Sequence, residues 1–295
     1  MELSDLTIFR TVVESGGITR AAEKLHRVQS NVTTRISQLE ADLGVKLFVR
    51  EGKKMRLSPA GSILLERANR LLDLAREAKE AVHEETPSGL LRIGTGESTA
   101  AVRLPGPLSE FHRRFPQVTL ELQNGNPQEL IARLLIGELD TALIIGPVND
   151  DRLEKLHLYE EELIVVAPKR GGKIRALDDF KGSALLAFEH GCPYRMRLEN
   201  WVSRESGAPP RIAEMSSYHA LLGCVVAGMG IALVPKSVLP TFPGRKHLNT
   251  YLMPKEQSKV DVWLVWRKEM YSARVQALAD TLSAAAKKTK KRSRK

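Results

Sequence analysis

The sequence has few cysteines, few aromatic residues and no long apolar run. Two cysteines in 295 residues, Cys192 and Cys224, are too few for a disulfide framework. No run of about 18 apolar residues predicts a membrane span, and the N-terminus MELSDLTIF carries acids where a secretory signal carries bases. These absences predict a cytoplasmic protein of a reducing compartment, with no membrane partner.

Signatures of the commoner enzyme classes are also missing. The 7 histidines are scattered, with no pair at the spacing of metal ligands, and no G-x-S-x-G hydrolase motif occurs. The segment GTGEST has only two glycines of a dinucleotide fingerprint, because Thr99 stands at the third position. We therefore expect no enzyme, no metal and no cofactor.

What the sequence does contain is unevenly distributed positive charge. Of the net charge of +10, the nine-residue tail KKTKKRSRK contributes +7 and residues 1–60 contribute +3, which leaves the body neutral. A neutral body with two basic ends predicts that a polyanion is contacted through the ends. The tail, 287–295, is predicted to be disordered, and it either keeps the protein soluble or helps to hold nucleic acid.

Residues 1–58 are predicted to form short helices followed by a two-stranded wing. Ser15-Gly16-Gly17 ends the first helix, and the third helix stops at Gly44. The segments LFVR and KMRL read as a small hairpin. The predicted buried stripe of the third helix, at spacings of four and three, is Val32, Ile36, Leu39 and Leu43.

The opposite face of the third helix carries short uncharged polar side chains, whereas a merely solvated helix usually carries Glu and Lys. Such groups match base edges in the major groove, and arginine can grip a phosphate or a guanine. This is typical of a helix-turn-helix whose second helix enters the groove, with wing cations along flanking phosphates. The predicted DNA-binding residues are Arg27, Gln29, Ser30, Asn31, Thr33, Thr34, Arg35, Arg50, Lys53, Lys54 and Arg56.

A long linker helix is predicted within 59–88, with Ser58 as its N-cap and Pro59 at its first position. Apolar residues recur along it in steps of four and three. So narrow a stripe favours pairing with another helix, and the alternative is packing on its own chain. The predicted dimer seam is Leu64, Ala68, Leu71, Ala75, Ala78 and Val82.

From 89 to 286, apolar strand runs alternate with helices, which predicts an α/β domain of two lobes with largely parallel sheets and a cleft between them. The predicted helices lie near 100–114, 127–137, 194–206, 218–228 and 272–286. The predicted strands are LLRIG, VTLELQ, TALIIG, EELIVVAP, ALLAF, RIAEM, IALVP, NTYLM and VDVWLVW.

The stretch ITRAAEKLHRVQSNVTTRISQLEADLGVKLFVREGKKMRLSPAG resembles the winged helix-turn-helix of LysR-type transcriptional regulators. AAEKLH, QLEADLGVKLF, Arg50 and L-S-P-A-G carry the resemblance, and the two-lobed remainder agrees with it. The sequence departs from the family at Gly17, where serine is common, and at Arg27-Val28, where Val-Ser is common. A usual N-cap of the recognition helix is therefore missing at position 28.

The resemblance implies a bacterial, nucleoid-associated regulator that binds an inverted-repeat promoter site in double-stranded DNA. It implies a homodimer formed through the linker helix and assembled into a homotetramer, with RNA polymerase as a further candidate partner. The effector domain would be similar to type 2 periplasmic binding proteins. Its lobes are expected at 90–162 with 267–286 and at 167–262, with crossings near 163–166 and 263–266.

A small-molecule effector is expected between the lobes, where loops after strands face helix N-termini. By analogy with the family, the candidate ligand residues are Ser98, Thr99, Gln128, Tyr194 and Arg195. Arg195 is suited to a carboxylate or another anion. The alternative for each residue is a helix cap or a surface position.

Two other functions stay open at this point. A thiol-based redox regulator is one, because Cys192 lies at a predicted helix N-terminus near His190 and Arg195, surroundings that would lower its pKa. Cys224 lies in an apolar helix, where a cysteine is usually a small buried hydrophobe. A two-lobed solute-binding protein is the other alternative, but it leaves residues 1–85 unexplained.

Overall fold

The computed structural model describes residues 1–51, 54–82, 87–169, 183–206, 211–254, 257–268 and 270–292. The chain divides into two compact units. The first holds the residues up to the end of the long helix together with Leu135–Glu138, and the second holds the rest. Among the described residues, no helix combines the length and the apolar character needed to cross a bilayer.

The first unit begins with three helices and a hairpin. These are α1 (Leu3–Glu14), α2 (Ile18–Lys24) and α3 (Gln29–Leu43), followed by the antiparallel strands β1 (Phe48–Glu51) and β2 (Lys54–Leu57). Their shared core includes Leu6, Phe9, Val32, Leu39 and Leu47, each at most 2% exposed. The predicted stripe on α3 is wrong at Leu43, which is 37% exposed where the helix ends.

The turn from α3 into the wing depends on the buried carboxylate of Glu40. Gly44 ends the helix at a φ of 68°, in the left-handed region that favours glycine. Glu40 then accepts the N–H groups of Leu47 at 2.9 Å and Phe48 at 3.4 Å, and the ammonium of Lys46 at 2.6 Å. Burial alone would raise the pKa of Glu40, but these donors together outweigh it, and the pKa is lowered.

The long helix α4 (Pro59–Val82) is fixed at its start by a cap and a close contact. Ser58 Oγ accepts the N–H of Gly61 at 2.9 Å and donates to the carbonyl of Lys46 at 2.6 Å. A Cβ on Gly61 would lie 2.1 Å from the carbonyl oxygen of Leu47. Only glycine therefore allows this helix to approach the segment that leads into the wing.

The predicted seam on α4 is exposed only in part. Ala68 is fully buried and Leu64 partly buried in the core of the first unit, so these two residues pack on their own chain. The prediction was wrong there because spacings of four and three fit two neighbouring stripes of one helix. The large exposed apolar residues of α4 are Ile63 at 65%, Leu71 at 42% and Leu74 at 58%. Of the other predicted seam residues, Ala75 is partly buried, Ala78 is exposed and the side chain of Val82 lies outside the description.

The second unit contains two lobes that share the long strand β6. Its strands are β3 (Gly89–Thr95), β4 (Val118–Asn124), β5 (Thr141–Ile145), β6 (Leu153–Pro168), β7 (Ala184–Ala187), β8 (Ile212–Glu214), β9 (Gly230–Pro235), β10 (Leu248–Leu252) and β11 (Lys259–Arg267). The order is β4-β3-β5-β11-β6 in the first lobe and β10-β6-β9-β7-β8 in the second. The helices are α5 (Glu97–Val102), α6 (Pro105–Arg114), α7 (Pro127–Leu135), α8 (Pro193–Ser206), α9 (Tyr218–Ala227) and α10 (Ala273–Arg292).

The strand pairing corrects two predictions about this unit. β6 changes partners between Glu162, opposite Lys259 of β11, and Leu163, opposite Pro235 of β9. β11 pairs with β5 and with the first half of β6, so the chain returns to the first lobe before Lys259 rather than near 263–266. The sheets are mixed rather than largely parallel, because the pairs of β6 and β11 are antiparallel.

Two helices also differ from their predicted bounds. The helix expected over 100–114 is two helices, because Pro105 lacks the N–H that would continue the first and is suited to start the second. The last helix extends through much of the tail predicted to be disordered, as far as Arg292. Lysine and arginine are good helix formers and are favourable at a helix C-terminus.

Candidate functional sites

One face of α3 presents polar side chains to solvent. Its inner side is anchored by Val32 and Ile36, which are 0% and 6% exposed. The exposed predicted DNA-binding residues in and beside this helix are Arg27, Gln29, Ser30, Asn31, Thr33 and Thr34. Donors and acceptors thus lie along one helix face, as major-groove readout requires.

The first turn of α3 lacks a side-chain cap. Val28 stands at the N-cap position with its side chain 68% exposed. Among the described residues, the N–H groups of Gln29 and Ser30 find no acceptor. Arg27 Nη1 donates to Asn31 Oδ1 at 3.2 Å, which places a guanidinium beside these open groups. N–H groups next to a cation are suited to a phosphate.

Two more of the predicted contacts, Thr33 and Arg35, are engaged within the protein. Thr33 Oγ1 donates to the carbonyl of Gln29 at 2.9 Å, which leaves its lone pairs as acceptors. Arg35 Nη1 donates to Asp5 Oδ1 at 3.1 Å, and the other oxygen of Asp5 accepts the N–H of Glu2 at 3.0 Å. Arg35 therefore holds α3 to the start of α1, a role that a helical wheel does not reveal.

The wing carries the remaining predicted phosphate contacts. Arg56 is exposed and lies opposite Val49 in the hairpin. Lys53 and the side chains of Arg50 and Lys54 lie outside the described residues. Their contact with DNA stays a prediction.

A cavity of about 500 Å³ opens between the two lobes of the second unit. Its walls come from the loops and helix starts after β3, β4, β7 and β8, together with Leu143 and Ile145 of β5. The polar side chains that line it include Glu97, Ser98, Asn126, Glu129, Tyr194 and Tyr218.

Some of the predicted ligand residues line the cavity and others do not. Ser98 and Tyr194 line the cavity, and their hydroxyl oxygens are 3.5 Å apart. Thr99 is 3% exposed and is not among the lining residues. Gln128 is exposed, and a Cβ on Gly191 would lie 3.0 Å from its Oε1, so Gln128 stands beside a loop of the other lobe.

Arg195 is not placed to bind an anion in this cavity. Its Nε donates to Glu199 Oε1 at 2.7 Å, and its Nη1 donates to Glu214 Oε2 at 2.9 Å and to the carbonyl of Phe188 at 3.0 Å. These carboxylates raise the pKa of Arg195, and the hydrogen bond that Arg195 donates to Glu199 is the largest cause. The positive charge is thus compensated within the protein, and Arg195 does not line the cavity.

Glu97 is the residue that the sequence analysis missed. Its Oε1 accepts the N–H of Tyr218 at 3.4 Å, while its Oε2 is buried without a hydrogen-bond partner among the described residues. Burial raises the pKa of this carboxyl, and the Tyr218 N–H and His219 lower it by less. An acid at the first position of a helix normally stabilises the helix dipole. The sequence alone therefore does not distinguish that role from a role in ligand binding.

Cys192 lines the cavity, but its surroundings differ from those predicted. Burial raises the pKa of its thiol more than the N–H groups of Arg195 and Tyr194 lower it. The predicted lowering was wrong because burial of the thiol outweighs the contributions that lower its pKa. Cys224 packs against the core of the second lobe. This arrangement gives no support to a reactive thiolate.

Comparison with known proteins identifies the family. A family model described as "LysR substrate binding domain" matches residues 84–287, and one described as "Bacterial regulatory helix-turn-helix protein, lysR family" matches residues 3–62. The chain belongs to the LysR family. Similar curated LysR-family relatives are the HTH-type transcriptional regulators YofA of Bacillus velezensis, 38% identical, and CzcR of Bacillus thuringiensis, 37% identical. Each match covers 92% of this chain and 93% of the relative.

Solved LysR-family structures are similar over nearly the whole chain. Full-length CbnR complexed with its target DNA has a TM-score of 0.66 and 26% identity, covering 97% of this chain and 100% of that one. A full-length variant of OxyR from Pseudomonas aeruginosa has a TM-score of 0.77, covering 96% and 94%; at 23% identity it shows likeness of fold alone. As a LysR-family member, the protein is a DNA-binding transcriptional regulator with an effector-binding domain.

Proposed function

We propose that this regulator reads an inverted repeat near a promoter through α3, and that a small molecule in the cleft controls transcription. The observation that carries the proposal is the exposed, uncharged face of α3. Asn31 and Gln29 can pair with adenine edges in two hydrogen bonds, and Ser30 and Thr34 suit several bases. Arg27 and the open first turn of α3 would hold a phosphate and set the register on the duplex.

An inverted repeat requires two copies of the chain related by a two-fold axis. The apolar stripe of Ile63, Leu71 and Leu74 on α4 supports a homodimer, because these large side chains are 42% or more exposed. Two dimers would form the homotetramer implied by the family resemblance. A promoter-bound assembly of this kind is placed to contact RNA polymerase.

Effector control follows from the cavity between the lobes. A ligand that touches both lobes favours one arrangement over the others by its difference in affinity for them. Ser98 of the first lobe and Tyr194 of the second, with hydroxyl oxygens 3.5 Å apart, lie where such a ligand would bridge them. Ser98→Ala should therefore reduce the response to the effector while leaving DNA affinity without effector unchanged.

Footprinting tests the DNA-binding part of the proposal. At moderate salt, the purified full chain should protect two symmetric half-sites upstream of its own gene or of a neighbouring gene. Asn31→Ala should remove this protection, and Glu110→Gln, a variant of an exposed residue on α6, should retain it. Protection without two-fold symmetry, or no protection, would contradict the proposal.

Light scattering after size exclusion tests the assembly. Leu74→Glu should convert the oligomer to monomers, because it places charge in the exposed stripe. Leu252→Glu is the matched control, since Leu252 is also highly exposed, at 64%, but lies on β10. A monomeric parent protein, or an unchanged mass for Leu74→Glu, would rule out dimerisation through this stripe.

A further inference from the structure

We propose that the cleft takes a cationic ligand, an organic ammonium whose charge is received by Glu97. This inference rests on the proposed function, in which the cleft is the effector site. From the sequence, Arg195 suggested an anionic ligand, whereas we now assign a ligand of the opposite charge.

The lining of the cavity is acidic. Among the described residues that line it, none is Lys, Arg or His. Of the lining acids, Glu214 is neutralised by Arg195 at 2.9 Å. The carboxylates that line the cavity are Glu97, Glu129, Glu189 and Glu214. Facing carboxylates within one enclosed space attract a cation and repel an anion.

A second recess in the same unit shows that the lack of basic lining residues beside the acids is particular to the cleft. This recess, of about 900 Å³, lies beside β6 and β11 and is also rich in acids. There Glu160, Glu161 and Glu162 have cationic partners, and Asp261 contacts the ring of His157. The pairs are Arg103 with Glu161 at 2.8 Å, Lys236 with Glu162 at 2.9 Å, His157 with Asp261 at 2.9 Å, and Lys259 with Glu160. The chain therefore pairs the acids of one recess with basic side chains, whereas no described residue that lines the cleft is Lys, Arg or His.

Glu97 is the natural receiver of the ligand charge. Its Oε2 is buried and has no partner among the described residues, and its other oxygen accepts a single long bond of 3.4 Å from the Tyr218 N–H. A buried carboxylate oxygen without a partner is costly, and an ammonium group would satisfy it. The carboxylate also lies at the start of α9, so it already occupies the position that a bound anion would take there.

Aromatic rings supply the rest of a site for an ammonium. Phe188, Tyr194 and Tyr218 line the same cavity, and the ring centroids of Phe188 and Tyr218 are 4.7 Å apart. The faces of such rings attract cations. A metal ion is less suited, because no three His, Cys, Asp or Glu side chains of the described chain come together as a metal site. The geometry therefore favours an organic cation.

The test uses three probes that share a five-carbon chain and differ in charge: cadaverine, pentanediol and glutarate. Thermal unfolding and calorimetric titration of the full chain are measured with each at neutral pH and fixed ionic strength. Cadaverine should raise the melting temperature and the other two should not. Glu97→Gln should weaken cadaverine binding about tenfold or more, whereas Glu110→Gln, which removes an exposed acid on α6, should leave it unchanged.

Folding of the variant is checked without any probe. Glu97→Gln should melt no lower than the parent, because it removes a charge whose buried Oε2 has no partner among the described residues, and it keeps an oxygen that can accept the Tyr218 N–H. Stabilisation by glutarate equal to or above that by cadaverine, the absence of a cadaverine effect, or unchanged cadaverine affinity in Glu97→Gln would overturn the cation assignment. Footprinting of the same preparations separates the two proposals: retained protection with failed cadaverine binding overturns only the ligand class, and lost protection overturns the proposed function.

Discussion

The proposed DNA-binding face and the proposed effector cleft are built in opposite ways. The face is a short segment of one helix, whose polar groups point into solvent from a buried stripe of Val32 and Ile36. The cleft is assembled from four connections distant along the chain, and its Ser98, Tyr194 and Tyr218 are at least nine-tenths buried. The difference teaches that DNA contacts depend on local helix geometry, whereas ligand contacts depend on how two lobes pack.

This difference between the two regions predicts that the first unit can be destabilised without loss of ligand binding in the second unit. Gly61→Ala should destabilise that unit by about 3 kcal/mol, because overpacking against backbone cannot relax easily; the new Cβ would lie 2.1 Å from the Leu47 carbonyl. DNA affinity should fall with it, while ligand binding in the cleft persists. Calorimetry with parallel DNA and ligand titrations checks this.

A matched control is Gly223→Ala in α9, where a Cβ would meet nothing within 4 Å. Alanine in a helix interior should stabilise the second unit by about 0.5–1 kcal/mol. Equal destabilisation by the two substitutions would show that the contact at Gly61 is not what fixes the start of α4.

Glu40→Ala should cost the first unit about 2 kcal/mol, because it leaves the buried N–H of Leu47 without an acceptor. The folded pKa of Glu40 is lowered from 4.5, so its contribution is full above about pH 4.5 and is lost as the pH falls through the lowered value. The stability gap between parent and variant should therefore narrow on acidification, as measured by urea unfolding at several pH values.

The exposed pair of Glu14 and Lys24 provides the control for this prediction. Its side chains are 47% and 60% exposed, so Glu14→Ala should cost at most a few tenths of a kcal/mol. If the difference in stability between the parent and Glu40→Ala widens in acid, the assigned direction of the Glu40 pKa shift is contradicted.

Val28→Ser is expected to raise stability and to weaken DNA binding. A serine N-cap should stabilise α3 by about 1 kcal/mol, because it accepts a first-turn N–H that now has no acceptor among the described residues. If that N–H group holds a DNA phosphate, a serine that occupies it should weaken DNA binding a few-fold. Melting curves and gel shifts are measured for Val28→Ser and for Val28→Ala. Because Val28→Ala also removes the valine side chain but supplies no cap, it separates the effect of the cap from the effect of losing valine. Tighter DNA binding by Val28→Ser would contradict the open-turn account.

The sequence predicted the exposed polar face of α3 well because its period is local. Helical spacing is enough to place Val32 inside and Asn31 outside. It did not predict that Arg35 reaches Asp5 on another helix, since the distance between helices is set by packing.

The cleft was predicted less completely for the same physical reason. The loops that form it were recognised from strand ends, but which of Glu97, Ser98 and Thr99 enters the cavity depends on the orientation of α5. The side chain of Arg195 points to Glu199, an i,i+4 neighbour on α8 that helical spacing indicates, and to Glu214, 19 residues away, which no local pattern encodes. Charge compensation at Arg195 is thus the reason that we propose a cationic ligand in place of the expected anion.

The most direct test of the account is the ratio of affinities for the protected promoter site and for a scrambled duplex of the same length. Asn31→Ala should lower this ratio about tenfold, since one lost base contact costs about 1–3 kcal/mol, and should leave binding to the scrambled duplex nearly unchanged. Arg56→Ala on the wing should weaken both affinities alike. An unchanged ratio in Asn31→Ala would contradict base recognition by the exposed face of α3.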